Sequence, residues 1–136
     1  MRVPESVMLS SVEALESKMV TSIVIDDDTD IVEVFCEYLE IKNIQVVGRG
    51  HNGQEAVELY QKHMPDVVFL DVMMPGFDGI YALENIRKIN PDAKVVVITA
   101  DLREETALRL NELKPNRIFV KPCDLEKISQ AVSSFS

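Results

Sequence analysis

The sequence has no tryptophan, two cysteines and five glycines, and it carries 14 basic against 23 acidic side chains, a net charge of minus nine over 136 residues. Each scarcity excludes something. Without clustered Lys and Arg there is no electrostatic footprint for a phosphate backbone, so no nucleic-acid partner is expected. No apolar run approaches the roughly 20 residues that cross a bilayer. Residues 1–20 also lack the basic start and continuous apolar stretch of a secretory leader, so no membrane partner is expected either. Cys36 and Cys123 lie far apart in the chain, make no metal-ligand spacing and read as free thiols of a reducing, cytoplasmic compartment. With 46 per cent apolar residues and no repeats or biased segments, the chain is long enough to build one folded core.

What is present from residue 21 onward is an alternation of short β-branched runs with helical patterns. Strands are expected at 21–26, 44–49, 66–71, 94–99 and 117–121. Ile31, Val34, Phe35, Tyr38 and Leu39 recur at helical spacing and predict a helix over 29–41 with that stripe inward. Asn52 with Glu55 three places on resembles a capping box opening a helix over 53–63. A third helix is expected over 79–89, a fourth after Asp101 and a fifth after Asp124, the last presenting Leu125, Ile128, Val132 and Phe135 inward. Five strand–helix units imply an α/β fold, a five-stranded parallel sheet with helices on both faces. Val67 to Leu70 and Val95 to Ile98 are continuously apolar, as strands covered on both faces should be. In such a sheet of order 2-1-3-4-5, ligands bind beyond the carboxyl ends of strands one and three.

Those two strands end in acids: Asp26, Asp27 and Asp28 follow Ile23 to Ile25, and Asp71 follows Val67 to Leu70. Like charges crowded at about 4 Å repel by roughly 4 kcal/mol at an effective dielectric near 20, so the pocket demands a cation. Magnesium prefers oxygen ligands and takes one or two carboxylates, which Asp27 and Asp71 supply. Strand four ends in Thr99, a hydroxyl, and Ala100, too small to block an approaching group; strand five ends in Lys121 and Pro122. A hydroxyl and an ammonium facing a metal beside a carboxylate are best explained by a phosphoryl group in transfer to Asp71, the nucleophile.

Asp26 and Asp27, Asp71 followed by Met74, Pro75, Asp78 and Gly79, then Thr99 with Ala100 and Lys121 with Pro122, together resemble the receiver domain of two-component response regulators. Forty-four positions separate Asp27 from Asp71 and 22 separate Thr99 from Lys121, as in that family. The resemblance covers residues 21–136 and implies a flavodoxin-like receiver fold, whose strand order this family itself exemplifies. It also implies phosphorylation of Asp71 by a phosphohistidine on a sensor histidine kinase or phosphotransfer protein. Asp27, Asp71 and the Met73 carbonyl would hold Mg²⁺, with Asp26 acting through water. Thr99 and Lys121 would hold the phosphoryl oxygens in a pocket lined by Ala100 and Met73. A cis Lys121–Pro122 peptide and a downstream protein target on the face of helix four, strand five and helix five are further implications.

Ile118 departs from the family pattern, which places Tyr or Phe there as the partner of the switching threonine; Phe119, on the opposite strand face, is expected in the core. Lys114 with Pro115 and Cys123 replace a glycine and an aromatic, and the loop over 114–116 should differ in shape. Asp101, two residues past Thr99, is expected to cap helix four, with water orientation as the alternative. His51 and His63 are expected at the surface, and Met64, Met73 and Met74 in the core or at the rim rather than as ligands. Residues 1–20 form an N-terminal extension in which Met8, Val12, Leu15 and Met19 would share one side of a short helix, if it does not fray. No output domain is expected after helix five. Two competing functions remain at this stage: a receiver-like binding module that never takes phosphate, and an aspartyl phosphohydrolase resembling haloacid dehalogenases, with Asp26 and Asp28 as its acid pair.

Overall fold

The computed structural model describes residues 19–135 apart from Pro75 and Leu102. The expected helix-forming part of the extension, with Met8, Val12 and Leu15, lies outside the described residues. Elements alternate without exception: β1 (Val20–Ile25), α1 (Thr29–Ile41), β2 (Ile44–Gly50), α2 (Gly53–His63), β3 (Val67–Leu70), α3 (Gly79–Ile89), β4 (Val95–Thr99), α4 (Glu104–Leu113), β5 (Arg117–Val120) and α5 (Leu125–Ser133). All pairings are parallel, in the order β2-β1-β3-β4-β5. The expected flavodoxin-like α/β sheet is therefore the observed one.

Strand alternation divides the core in two. Val68 and Leu70 of β3 join Tyr60, Leu83, Ile86 and Leu110 on the face covered by α2, α3 and α4. Val24, Phe69 and Val96 join Phe35, Leu39, Ile128 and Val132 under α1 and α5. Phe35 and Phe69 meet edge to face at 5.0 Å, a favoured aromatic geometry. Right-handed crossovers place α1 on one face and α2 on the other, so the chain reverses direction at β1 and opens a crevice between the ends of β1 and β3.

Local chemistry sets the boundaries. Asn52 accepts from the Glu55 amide and the Glu55 side chain accepts from the His51 amide, a reciprocal cap shifted by one residue from the usual box. Asp28 caps α1 by accepting from the Asp30 and Ile31 amides, and Asp78 caps α3 by accepting from the Tyr81 amide. Lys114 ends α4 in the left-handed region at φ 52°, so the residue before Pro115 avoids the right-handed helix as expected, without being extended. Arg87 then fastens that loop by donating to the carbonyls of Leu113 and Lys114 and to Asn116 Oδ1. Lys121–Pro122 is cis.

The stripe expected to face inward on α1 is corrected. Val32, Phe35, Cys36 and Leu39 are buried, whereas Ile31 and Val34 are 44 and 61 % exposed and Tyr38 is half-buried. The helix is rotated so that its buried row runs one residue later than the apolar periodicity indicates. Glu126 of α5 binds Tyr38 Oη at 2.8 Å and Lys42 Nζ at 3.0 Å, tying α5 to the second half of α1. The first turns of α1 are left facing a groove.

Gly79 positions the site directly. A Cβ at this residue would overlap the carbonyl oxygen of Asp71 and the Cα of Val72, both fixed backbone. Gly79→Ala is expected to destabilise the fold by about 3 kcal/mol, since overpacking against backbone cannot relax through a rotamer. Urea denaturation checks this; an unchanged midpoint would contradict it.

Candidate functional site

The hydrogen-bond ladder continues one residue beyond each strand and so fixes the side chains that follow. Asp26 N–H donates to the Gly50 carbonyl, Asp71 N–H to the Ile25 carbonyl at 2.9 Å, and Lys121 N–H to the Thr99 carbonyl at 2.8 Å. Carboxylate oxygens of Asp26, Asp27 and Asp71 come within 4.8 Å of one another. Asp26 and Asp71 are buried, each 6 % exposed, while Asp27 faces solvent. Lys121 Nζ donates to Asp26 Oδ2 at 2.8 Å and to Asp71 Oδ2 at 3.3 Å.

Burial, and secondarily the charge of Asp26, raise the Asp71 pKa above its ordinary value; Lys121 and the Met73 amide, 3.4 Å from Oδ1, offset only part of this. Burial opposes the charge on Lys121, but its bond to Asp26 and the fields of Asp71 and Asp26 prevail and raise its pKa. Three carboxyl groups gathered against one ammonium form an acid-rich cluster that a divalent cation would neutralise. The donor set is all oxygen, which would suit a hard ion such as Mg²⁺, and the mouth at Asp27 is open to solvent.

Thr99 is buried at the end of β4, and its Oγ1 accepts from the Asp101 amide at 3.0 Å. Ala100 is exposed and shares with Asp26, Asp71 and Lys121 the lining of a groove of about 750 Å³, whose apolar wall includes Ile31, Val34, Phe35, Cys123 and Leu125. Met73 is exposed and lines a second cleft, about 420 Å³, with Asp27, Asp78, Arg103 and Thr106. The structure thus gathers Asp26, Asp27, Asp71 and Lys121, with Thr99, Ala100 and Met73 on adjoining loops and strand ends. Ile118 is not among them. It lies on the edge strand β5, 47 % exposed, while the neighbouring Phe119 packs against the α1/α5 core as expected.

Several side chains behave differently from expectation. Asp101 provides no cap for α4: the cap residue is Arg103, which makes no side-chain cap bond, and the Asp101 carboxylate accepts from Arg103 and Thr106 instead. Asp28 is committed to capping α1, which removes it from an acid pair with Asp26. His51 is exposed, as expected of a surface residue, and places Nδ1 3.1 Å from the Asp26 carbonyl. Its position directly after β2, the neighbour of β1, is the one sequence signal for that contact. Burial raises the pKa of both Cys36 and Cys123, away from the reactive thiolate.

Comparison with known proteins agrees with this architecture. The response regulator receiver domain family model matches residues 23–133. Among curated relatives, the chemotaxis protein CheY of Bacillus subtilis is 30 % identical over 85 % of this chain and 97 % of its own. Protein CcdB of the same organism is 35 % identical over 83 % of this chain and 95 % of its own. A chain in the crystal structure of the CheX–CheY–BeF3–Mg²⁺ complex from Borrelia burgdorferi is 29 % identical, with a TM-score of 0.78 over 85 % of this chain and 87 % of that one. Fold, strand-end acids and family match converge, and the chain belongs to the response regulator receiver domains.

Proposed function

We propose that this protein is a phosphoryl-accepting signalling switch in which Asp71 takes a phosphoryl group from a phosphohistidine on a sensor histidine kinase or phosphotransfer protein. The observation that carries the reading is the cluster of Asp26, Asp27 and Asp71 closed by Lys121. Asp27 and Asp71, with the Met73 carbonyl, are the ligands we assign to Mg²⁺, and Asp26 acts through water. Bound there, the metal supplies charge neutralisation for the incoming phosphoryl oxygens. An Asp71 carboxylate oxygen attacks phosphorus in line, the phosphorus–nitrogen bond breaks, and the donor imidazole leaves and takes up a proton. Lys121 Nζ exchanges its Asp71 contact for a phosphoryl oxygen, and the Thr99 hydroxyl donates to another. Ala100 leaves the space that group needs.

The groove beside Asp71 supports docking of a macromolecular donor, because Ile31 and Val34 offer apolar contact next to the reacting carboxylate. Leu108 of α4 with Ile118 and Val120 of β5 are also exposed, which supports the α4–β5–α5 face as the output surface. The protein then acts through protein contacts in the cytoplasm, a reading compatible with its two free cysteines. We assign residues 21–136 to the receiver domain and residues 1–20 to an extension. A second reading, a receiver-like binding module indifferent to phosphate, is favoured only by the isoleucine at position 118.

Incubation with acetyl phosphate separates the two. Intact mass spectrometry should show one added phosphoryl group with Mg²⁺, and chelation with EDTA should cut its rate of appearance by at least about tenfold. An unchanged mass in both conditions would leave the binding module.

A further inference from the structure

Thr99 and α4 are joined by a chain of hydrogen bonds through a buried acid. The Asp101 amide donates to Thr99 Oγ1 at 3.0 Å. The Asp101 carboxylate accepts from the Arg103 amide and Nε, both at 3.0 Å, from Arg103 Nη2 at 2.8 Å, and from Thr106 Oγ1 at 2.7 Å. The carboxylate has only 1 % of its side-chain surface exposed, so water cannot replace a lost partner and a broken bond there is expensive. The Arg103 amide is fixed at the cap position of α4, but its guanidinium sits on a long side chain that is 62 % exposed and can follow the carboxylate. Thr106 cannot, because its hydroxyl rides on the first turn of a helix.

Arg103 at the cap position of that turn makes no side-chain cap hydrogen bond. Thr106 and Arg103 also line the open cleft beside Asp27 and Met73, which leaves room for the turn to shift. The usual aromatic partner of Thr99 is absent, Ile118 standing exposed on β5. A displacement of Thr99 Oγ1 toward the Asp71 carboxylate therefore draws the Asp101 amide with it. The carboxylate must then either carry Thr106 along or release it.

We propose that the Thr99–Asp101–Thr106 chain is the mechanical link by which occupancy of Asp71 reaches helix α4, with Asp101 a positioning residue that acts through Thr99 and Thr106. This rests on the phosphoacceptor reading above. Hydrogen–deuterium exchange of the full chain over 104–113, with and without Mg²⁺ and beryllofluoride, reads the link directly, and phosphorylation by acetyl phosphate reads the site separately.

In the wild-type protein beryllofluoride should change α4 exchange by about threefold or more, a scale set by local opening equilibria. Thr106→Val should lose at least about half of that response while Asp71 is still phosphorylated at a rate within about twofold of wild type, and Thr106→Ser should restore it. Thr106→Ala gives the same comparison without a β-branched side chain, so the outcome does not depend on one variant folding. A full α4 response in phosphorylated Thr106→Val or Thr106→Ala protein overturns the inference alone. A silent α4 in phosphorylated wild type does the same, whereas wild type that takes up no phosphate overturns the phosphoacceptor reading and the link with it.

Discussion

Replacing Asp71 by asparagine is expected to abolish phosphoryl uptake and, at the same time, to make the metal-free protein more stable. The first effect follows from chemistry: an amide oxygen is a poor nucleophile and forms no acyl phosphate, so the rate should fall by at least about a thousandfold. The second follows from electrostatics. Asp71 is buried beside Asp26, and its pKa lies above the ordinary 3.8. A folded state with the higher pKa binds the proton more tightly than the unfolded chain does. Below pH 3.8 the group carries no penalty, and stability falls as pH rises from there through the raised folded value. Asparagine removes that penalty. At neutral pH in EDTA the thermal midpoint should rise by about 2–5 °C, and added Mg²⁺ should stabilise the variant less than wild type. A variant that melts below wild type in EDTA would contradict the account of the site.

Lys121→Met should move stability the opposite way. The lysine holds two buried carboxylates at 2.8 and 3.3 Å, and methionine keeps the length of the chain without its charge. Removing one partner of a buried ion pair costs roughly 3–5 kcal/mol; the ammonium here retains some solvent contact, so a loss of about 2 kcal/mol in EDTA is expected. Magnesium should restore much of it by neutralising the same acids. It should not restore the chemistry. A positioned donor to charge developing in the transition state contributes about a hundredfold, and that factor should persist at saturating metal. Chemical denaturation in EDTA and in Mg²⁺, beside acetyl phosphate kinetics, separates the two roles. Kinetics equal to wild type at saturating Mg²⁺ would assign Lys121 to structure alone.

The opposite signs of these two variants arise from one feature, an excess of negative charge held by backbone that cannot move away. That feature was legible in the sequence because it sits at strand ends. Val67 to Leu70 and Val95 to Ile98 are too continuously apolar for a one-sided sheet, and an acid directly after such a run has only the crevice to face. The rotation of α1 was not legible. Residues 31, 34, 35 and 38 and residues 32, 35, 36 and 39 are overlapping helical rows, both largely apolar, and spacing alone does not decide which one is buried.

Asp101 was misread for a related reason. An acid three places before Glu104 fits a cap by spacing, but the helix begins later, and a threonine in its first turn competes for the same carboxylate. The contact between His51 and the Asp26 carbonyl depends on the side-by-side ends of β1 and β2, which periodicity along one strand does not report. Ile118, an isoleucine where the resemblance leads one to expect an aromatic, is 47 % exposed on the edge strand β5.

Reduction with borohydride tests the central claim at the level of a single residue, since it converts an aspartyl phosphate to homoserine that tandem mass spectrometry can locate. After acetyl phosphate and Mg²⁺, the account predicts homoserine at position 71 and nowhere else, formed at least about tenfold more slowly in EDTA. Homoserine at Asp26 or Asp27, or none under either condition, would contradict it.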